Sequence, residues 1–282
     1  MGRQLVWRVL GAIAAMVVLV DLLAITALNA SHERREEVEL AEGEYTIYKN
    51  YGGIGPIESE IFNFHETWTL SRNSTGDYEV EGLRSFECPK DFPREVRFWL
   101  HLSPKLQLVE AKEYTPLSWI RSSGPLACTF SPRSVRCSAN GKDPANMPDL
   151  SVAVDKPYAF SWPLSAFSAA AVTRQADRRA GRVTEIQLVE IDQPGPSNPV
   201  MTVTGAGQLR FLGQEQLVIA GQTWQADKFE LQASMPVAPR KSLLWVSATG
   251  LLLKIQAQRN GHPEGTLELS RFKEKAGLNV FR

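Results

Sequence analysis

The stretch Gln208–Phe272 constrains the fold most strongly, because its apolar residues recur with period two and not with a helical period. Leu209 and Phe211 alternate with Gln208 and Arg210. Leu217-Val218-Ile219 runs into the turn Ala220-Gly221, and Trp224 to Leu231 alternates again, with a slip of face near Asp227-Lys228. Leu243 to Val246, the turn Ala248-Thr249-Gly250 and Leu251 to Ala257 form a predicted hairpin. In its second strand Leu251, Leu253, Ile255 and Ala257 share one face, with Lys254, Gln256 and Gln258 on the other. Alternation broken by Gly-bearing turns predicts half-buried antiparallel strands.

The same pattern holds upstream. Glu44–Lys49 predicts a short strand. Ile61–Leu70 predicts a strong one, with Phe62, Phe64, Trp68 and Leu70 on one face. Tyr78–Leu83, Leu106–Tyr114 and Arg182–Ile191 follow, as does a strand in which Val96, Phe98, Leu100 and Leu102 alternate with polar residues and Trp99. Beyond the N-terminus only Ser165–Ala180 has a helical pattern; it is Ala-rich, closes with Arg178-Arg179 and stops at Gly181. Gln193-Pro194-Gly195-Pro196 predicts a long hairpin connection within one domain. The expected fold is mainly β: a curved antiparallel sheet or half-barrel packed on one long helix, preceded by an N-terminal transmembrane helix.

Leu5–Leu28 is predominantly apolar, broken by Arg8 and Asp21. As a helix, Val9–Leu28 would span about 30 Å, the thickness of a bilayer core. Arg3, Arg8 and the terminal amine precede it, and His32-Glu33-Arg34-Arg35-Glu36-Glu37 follows, so the charge bias predicts N-in, C-out insertion. Residues 1–30 are expected to be a signal anchor, in which Val, Leu and Ile offset the cost of Asp21, about 3 kcal/mol near a helix centre. The alternative is a signal peptide cut after Ala30, against which the large Leu28 counts. Residues 31–42 then form a polar linker and 43–282 an exported antiparallel β domain. The expected location is the inner (cytoplasmic) membrane, single-pass, with the C-terminal domain extracytoplasmic or periplasmic, or secreted if the segment is cleaved.

A hydrophobic fraction of 43% supports a packed core, and a formal net charge of +0 gives no reason to expect a nucleic-acid partner. Tyr51-Gly52-Gly53-Ile54-Gly55-Pro56 lacks the Lys-Ser/Thr and the helix of a phosphate loop. No Gly-x-Ser-x-Gly elbow and no His-Glu-x-x-His occurs, and His32, His65, His101 and His262 are far apart. No catalytic residue, metal or cofactor is therefore expected. Asn73-Ser74-Thr75 fits a glycosylation sequon, which matters only in a eukaryotic secretory pathway.

Cys128–Cys137 reads as a hairpin. With Pro132-Arg133 as the turn, Ser131 faces Ser134, Phe130 faces Val135, Thr129 faces Arg136 and Cys128 faces Cys137. The cysteines then meet at a non-hydrogen-bonded pair, with Cα atoms about 4.5 Å apart, close enough for a disulfide. Pro132-Arg133 is not a favoured primed-turn pair, so a wider loop with shifted register, reduced cysteines, or pairing through Cys88 are the alternatives. An oxidising compartment favours the bond.

Gly43-Glu44-Tyr45-Thr46-Ile47-Tyr48-Lys49 with Ile54-Gly55, Ala220–Phe229, Leu244-Trp245-Val246 and Gly250–Lys254 together resemble uncharacterised exported bacterial β-proteins that look like relatives of the lipoprotein-localisation carriers (the Lol fold). The resemblance implies a half-barrel over a helix, lining an apolar cavity; it implies no catalytic residue. The leading expectation is a non-enzymatic cell-envelope protein that binds an apolar ligand, a lipid or lipidated peptide, on the concave side of the sheet. Phe62, Phe64, Trp68, Phe98, Trp224 and Trp245 are the candidate lining residues, although for each of them ordinary core is the stronger reading. The alternatives are a membrane-tethered assembly or scaffold subunit that binds a protein partner, and an enzyme with a dispersed site.

Overall fold

The computed structural model describes residues 38–48, 63–87, 95–114, 126–139, 150–160, 170–179, 181–192, 200–234, 240–259 and 262–275. The membrane segment expected within 1–30 and Cys88 lie outside them. Among the described residues no helix is long and apolar enough to cross a membrane.

The elements are β1 (Val38–Tyr48), β2 (Asn63–Arg72), β3 (Tyr78–Glu87), β4 (Glu95–Leu102), β5 (Leu108–Tyr114), β6 (Leu126–Ser131), β7 (Ser134–Ala139), β8 (Leu150–Ala153) and β9 (Tyr158–Phe160). A 3-10 segment, Ala170–Gln175, precedes β10 (Val183–Asp192), β11 (Val200–Ile219), β12 (Gln222–Ser234), β13 (Arg240–Ser247), β14 (Leu252–Arg259) and β15 (His262–Glu274). They form one sheet, in the order β8-β7-β6-β5-β4-β3-β2-β1-β15-β14-β13-β12-β11-β10-β9. Chain neighbours pair antiparallel throughout each half; β9 alone runs parallel to its partner, β10. The mainly β expectation holds, and β10 and β11 pair as one hairpin across Pro194-Gly195-Pro196.

Two expectations are corrected. The long helix over Ser165–Ala180 is, where described, a six-residue 3-10 segment that ends at Gln175. Thr173 donates its hydroxyl to Ala170 O (2.6 Å), and Asp177 gives its amide to Thr184 Oγ1 (2.9 Å), so the backbone leaves the helical ladder for β10. A run this short has little helix stability of its own, and tertiary contacts decide its shape. Second, β1 starts at Val38, inside the stretch assigned as a polar linker. Its register with β2 shifts between Glu39 and Ala41, so the consecutive residues Leu40 and Ala41 are both buried, which masks the period-two signal.

The sheet coils past closure. Leu188 packs in the main core, with Ile186, Leu209 and Phe229. The next residue, Val189, points to the other face of β10 and is also buried, in a second cluster with Cys128, Val135, Cys137, Leu150, Val154 and Met201. Cys128 is paired with Ala111, and Ala111 with Leu100, so the inner face of β6–β8 lies on the outer face of β10–β11. The two ends of the sheet overlap and do not pair. The turn after Val154 straps them together: Gln187 Oε1 accepts from the amides of Asp155 (3.1 Å) and Lys156 (3.3 Å), and Tyr158 donates its hydroxyl to Ser131 O (3.0 Å).

Arg174 ties the two halves at one end of the strands. Its guanidinium donates to Lys105 O, in the β4–β5 turn, and to Thr249 O (2.8 Å), in the β13–β14 turn. Burial, with the charge of Arg178 second, pulls its pKa down to about 10, so it stays cationic at neutral pH. Gly250, at φ 92°, lies against that guanidinium, and a β-carbon there would collide with it.

Candidate functional site

The inner wall of β1–β5 is built from two rows of facing residues. One row runs Gly43, Trp68, Gly82, Phe98, Glu113 across five strands. The glycines let the aromatic rings lie flat on the sheet: a β-carbon on Gly43 would sit inside the Trp68 indole, and one on Gly82 inside the Phe98 ring. The next row runs Tyr45, Glu66, Arg84, Val96. Tyr45 and Trp68 have ring centroids 6.2 Å apart, Trp68 and Phe272 6.3 Å, and Phe272 meets Trp224 edge-on at 5.1 Å. The result is an apolar surface that carries charge at Glu113, on β5, and at one ion pair.

That pair is Glu66 with Arg84. Glu66 is fully buried and Arg84 almost so, and Nε and Nη2 of Arg84 both donate to Glu66 Oε2 at 3.0 Å. Burial, then the charge of Glu66, raises the Tyr45 phenol well above its usual pKa. It stays protonated and donates to Leu252 O (2.9 Å). Tyr45 therefore cannot serve as a base at neutral pH, and Glu66 is held by a cation. The group ties β1, β2, β3 and β14 together inside the wall.

Of the residues expected to line the concave side, Trp68, Phe98, Trp224 and Trp245 are all buried in the main core cluster, and the strand register sets the last apart from the other three. Trp224 lies beyond the last β12–β13 pair, Ala226 with Ser247. Its indole donates to Ile219 O (3.2 Å), and the end of the β11–β12 hairpin docks on β15 through it. Phe62 lies outside the described residues, and of Phe64 only the strand backbone is described. Trp245 is on the opposite face: it pairs with Lys254, and Lys254 with Glu268, whereas its neighbour Leu244 shares a face with Ile255 and Leu267. Lys228 and Lys254 lie 4.9 and 5.9 Å from its ring centroid, and Glu215 accepts its indole N–H. Burial alone would raise the Glu215 pKa, but hydrogen bonds from Lys228 and Trp245 and both lysine charges outweigh it and hold it low.

Sequence reasoning missed Glu66 and Arg84. A signal existed: Glu66 stands between Phe64 and Trp68 at the core-facing parity of β2, where a carboxylate needs a partner. The two are 18 residues apart, and only the β2–β3 register makes them neighbours. The sequon asparagine has a structural task. Asn73 Oδ1 accepts from the amides of Thr75 (3.1 Å) and Asp77 (3.0 Å), and its Nδ2 donates to Glu79 Oε1 (3.2 Å). His65 lies against Glu44 (3.4 Å) and His101 against Asp77 (3.2 Å), both on the sheet's polar face as expected. The disulfide Cys128–Cys137 is formed, in the register derived above, with Cα atoms 4.0 Å apart.

No family model matches the sequence, and no curated protein matches it. Among solved structures the chain is similar to a β-barrel-like protein of the domain of unknown function DUF1849 from Brucella abortus, with 5% identity and a TM-score of 0.46 over 84% of this chain and 98% of that one. It is also similar to a candidate lipoprotein from Parabacteroides distasonis ATCC 8503, with 10% identity and a TM-score of 0.33 over 84% and 96% of the two chains. A candidate exported protein with a YmcC-like fold from Bacteroides fragilis NCTC 9343 gives 10% identity and a TM-score of 0.31, over 84% and 96%.

Proposed function

We propose that this chain is a non-enzymatic protein of the cell envelope, tethered by residues 1–30, that takes an apolar ligand on the inner face of its coiled sheet. The ligand class is a lipid or a lipidated peptide. The observation that carries the reading is the wall of β1–β5, where Trp68 and Phe98 lie flat over Gly43 and Gly82 and charge is limited to the paired Glu66 and Arg84 and to Glu113. Flat rings on backbone would give an alkyl chain broad apolar contact, worth about 25 cal/mol per Å² buried, once it displaced the core side chains that cover Trp68 and Phe98. The overlap of β6–β8 on β10–β11 gives a route in, because side chains and a strap join those edges in place of a ladder. The disulfide supports an oxidising compartment. The resemblance to lipoprotein-localisation carriers points the same way. Native mass spectrometry of the full-length protein, released gently from detergent, tests this: adducts of lipid mass are expected. Bare protein mass, together with no binding of a fluorescent fatty acid, would overturn it.

A further inference from the structure

The strand directions place the start of β1 and six short turns at the same end of the sheet, whereas the two-residue link between Arg259 and His262 lies at the other. Val38 opens β1 beside Arg72, where β2 enters the 73–77 turn. The turns at 103–107, 132–133, 154–157, 220–221 and 248–250 share that end, because their strands alternate in direction from β1 outward. Of the connections between the described strands at the opposite end, 49–62, 115–125 and 140–149 are longer, whereas 235–239 and 260–261 are short. The turn end is basic and has exposed apolar side chains. Lys105, Arg133, Arg182 and Lys275 are exposed there, and neither Lys105 nor Arg133 is in an ion pair among the described residues. Of the acids at this end, Asp77 faces His101, Asp177 is held by Arg179, Glu39 by Lys275 and Glu185 by Lys156, while Glu274 is half-buried and Asp155 is exposed. Val38 is 54% exposed, and Val218, beside the hairpin tip, is 75% exposed.

We infer that this turn end lies against the bilayer surface, with its lysines and arginines among anionic lipid headgroups. The inference rests on the anchor reading of residues 1–30. From Ala30 to Val38 the chain can reach about 28 Å at full extension, so the entry point of β1 cannot stand far from the membrane. Cationic side chains near an anionic surface are attracted over about a Debye length. The longer connections then face away from the membrane.

The full-length protein is reconstituted into vesicles of phosphatidylcholine with phosphatidylglycerol and treated with an impermeant amine-reactive reagent. Lys105, Lys156 and Lys275, at the turn end, should lose reactivity several-fold relative to detergent, whereas Lys241, at the other end, should not. Pure phosphatidylcholine, or about 1 M salt, where the Debye length is about 3 Å, should restore most of it. The double variant Lys105→Glu, Arg133→Glu should weaken protection at Lys156. Carbonate-resistant flotation with the vesicles, scored on the same sample, separates the two ideas. A chain that floats but reacts equally at both ends, or is protected at Lys241 instead, overturns the inference alone. A chain that does not float overturns the anchor, and the inference with it.

Discussion

Trp68 lies flat across Gly43, the residue opposite it on β1, so closely that the indole occupies the place a β-carbon would take. Gly82 and Phe98 repeat the arrangement two strands away. Both glycines are therefore set by close approach, and in both the backbone is ordinary strand. Gly43→Ala should destabilise the fold by about 1–3 kcal/mol, the usual cost of overpacking, and Gly82→Ala should do the same. Urea denaturation followed by tryptophan fluorescence checks this; an unchanged midpoint would show that Trp68 can step aside.

Glu66 and Arg84 make opposite predictions singly and together. Removing one partner leaves a buried charge, so Glu66→Leu or Arg84→Met should cost about 3–5 kcal/mol. The double variant should recover a large part of that loss, because an apolar pair of similar volume suits the surrounding wall. A double-mutant cycle by denaturant unfolding measures it. Additive losses would mean that the two side chains are not coupled.

Tyr45 predicts a pH dependence at the alkaline end. Its folded pKa is raised, first by burial and then by Glu66, above the phenol value of the unfolded chain. The stability tied to its protonated form is complete below the unfolded pKa, about 10, and is lost as pH rises from there toward the folded value. Tyr158, which burial pushes up to about 12, adds a smaller slope of the same sign because it is partly exposed. Tyr45→Phe should lower stability by about 1 kcal/mol at pH 8, through the lost hydrogen bond to Leu252 O. It should also flatten the decline above pH 10. Denaturation midpoints of both proteins between pH 8 and 11 test this, and parallel slopes would remove Tyr45 as the cause.

The hairpins were legible because each alternates cleanly and ends in turn residues; Ala220-Gly221, both with positive φ, is the clearest. Even the slip of face near Lys228 has its counterpart, a bulge at Leu212 opposite it in β11. What alternation cannot convey is a residue pair buried together. Leu251, Leu252 and Leu253 are all buried because the β13–β14 register shifts at Val246. Leu188 and Val189 are both buried because the sheet overlaps itself there. The inner wall was legible as apolar in Trp68 and Phe98, but Trp245 looked equivalent to them. Only the register, which gives it lysines for neighbours, separates its face from theirs.

The Cys128–Cys137 bond closes a hairpin of sequence separation 9 at the centre of the overlap cluster. Its loop is short, so the cross-link itself should contribute at most about 3 kcal/mol. Its position gives it further weight: β6 and β7 bring Val135 and both cysteines onto Val189 and Met201, and Ser131 O in the same hairpin holds Tyr158. Replacing both cysteines by alanine should therefore do two things. Global stability should fall by about 2–4 kcal/mol once the lost apolar contacts are added to the lost cross-link. Amide exchange should rise most in 126–139 and 150–158, and much less in β1 and β2, whose core is separate. Hydrogen exchange with mass spectrometry, alongside non-reducing peptide mapping of the parent protein, reads both. Uniform acceleration along the chain would show that the overlap is not an independent unit, and a cross-link through Cys88 would remove the assignment itself.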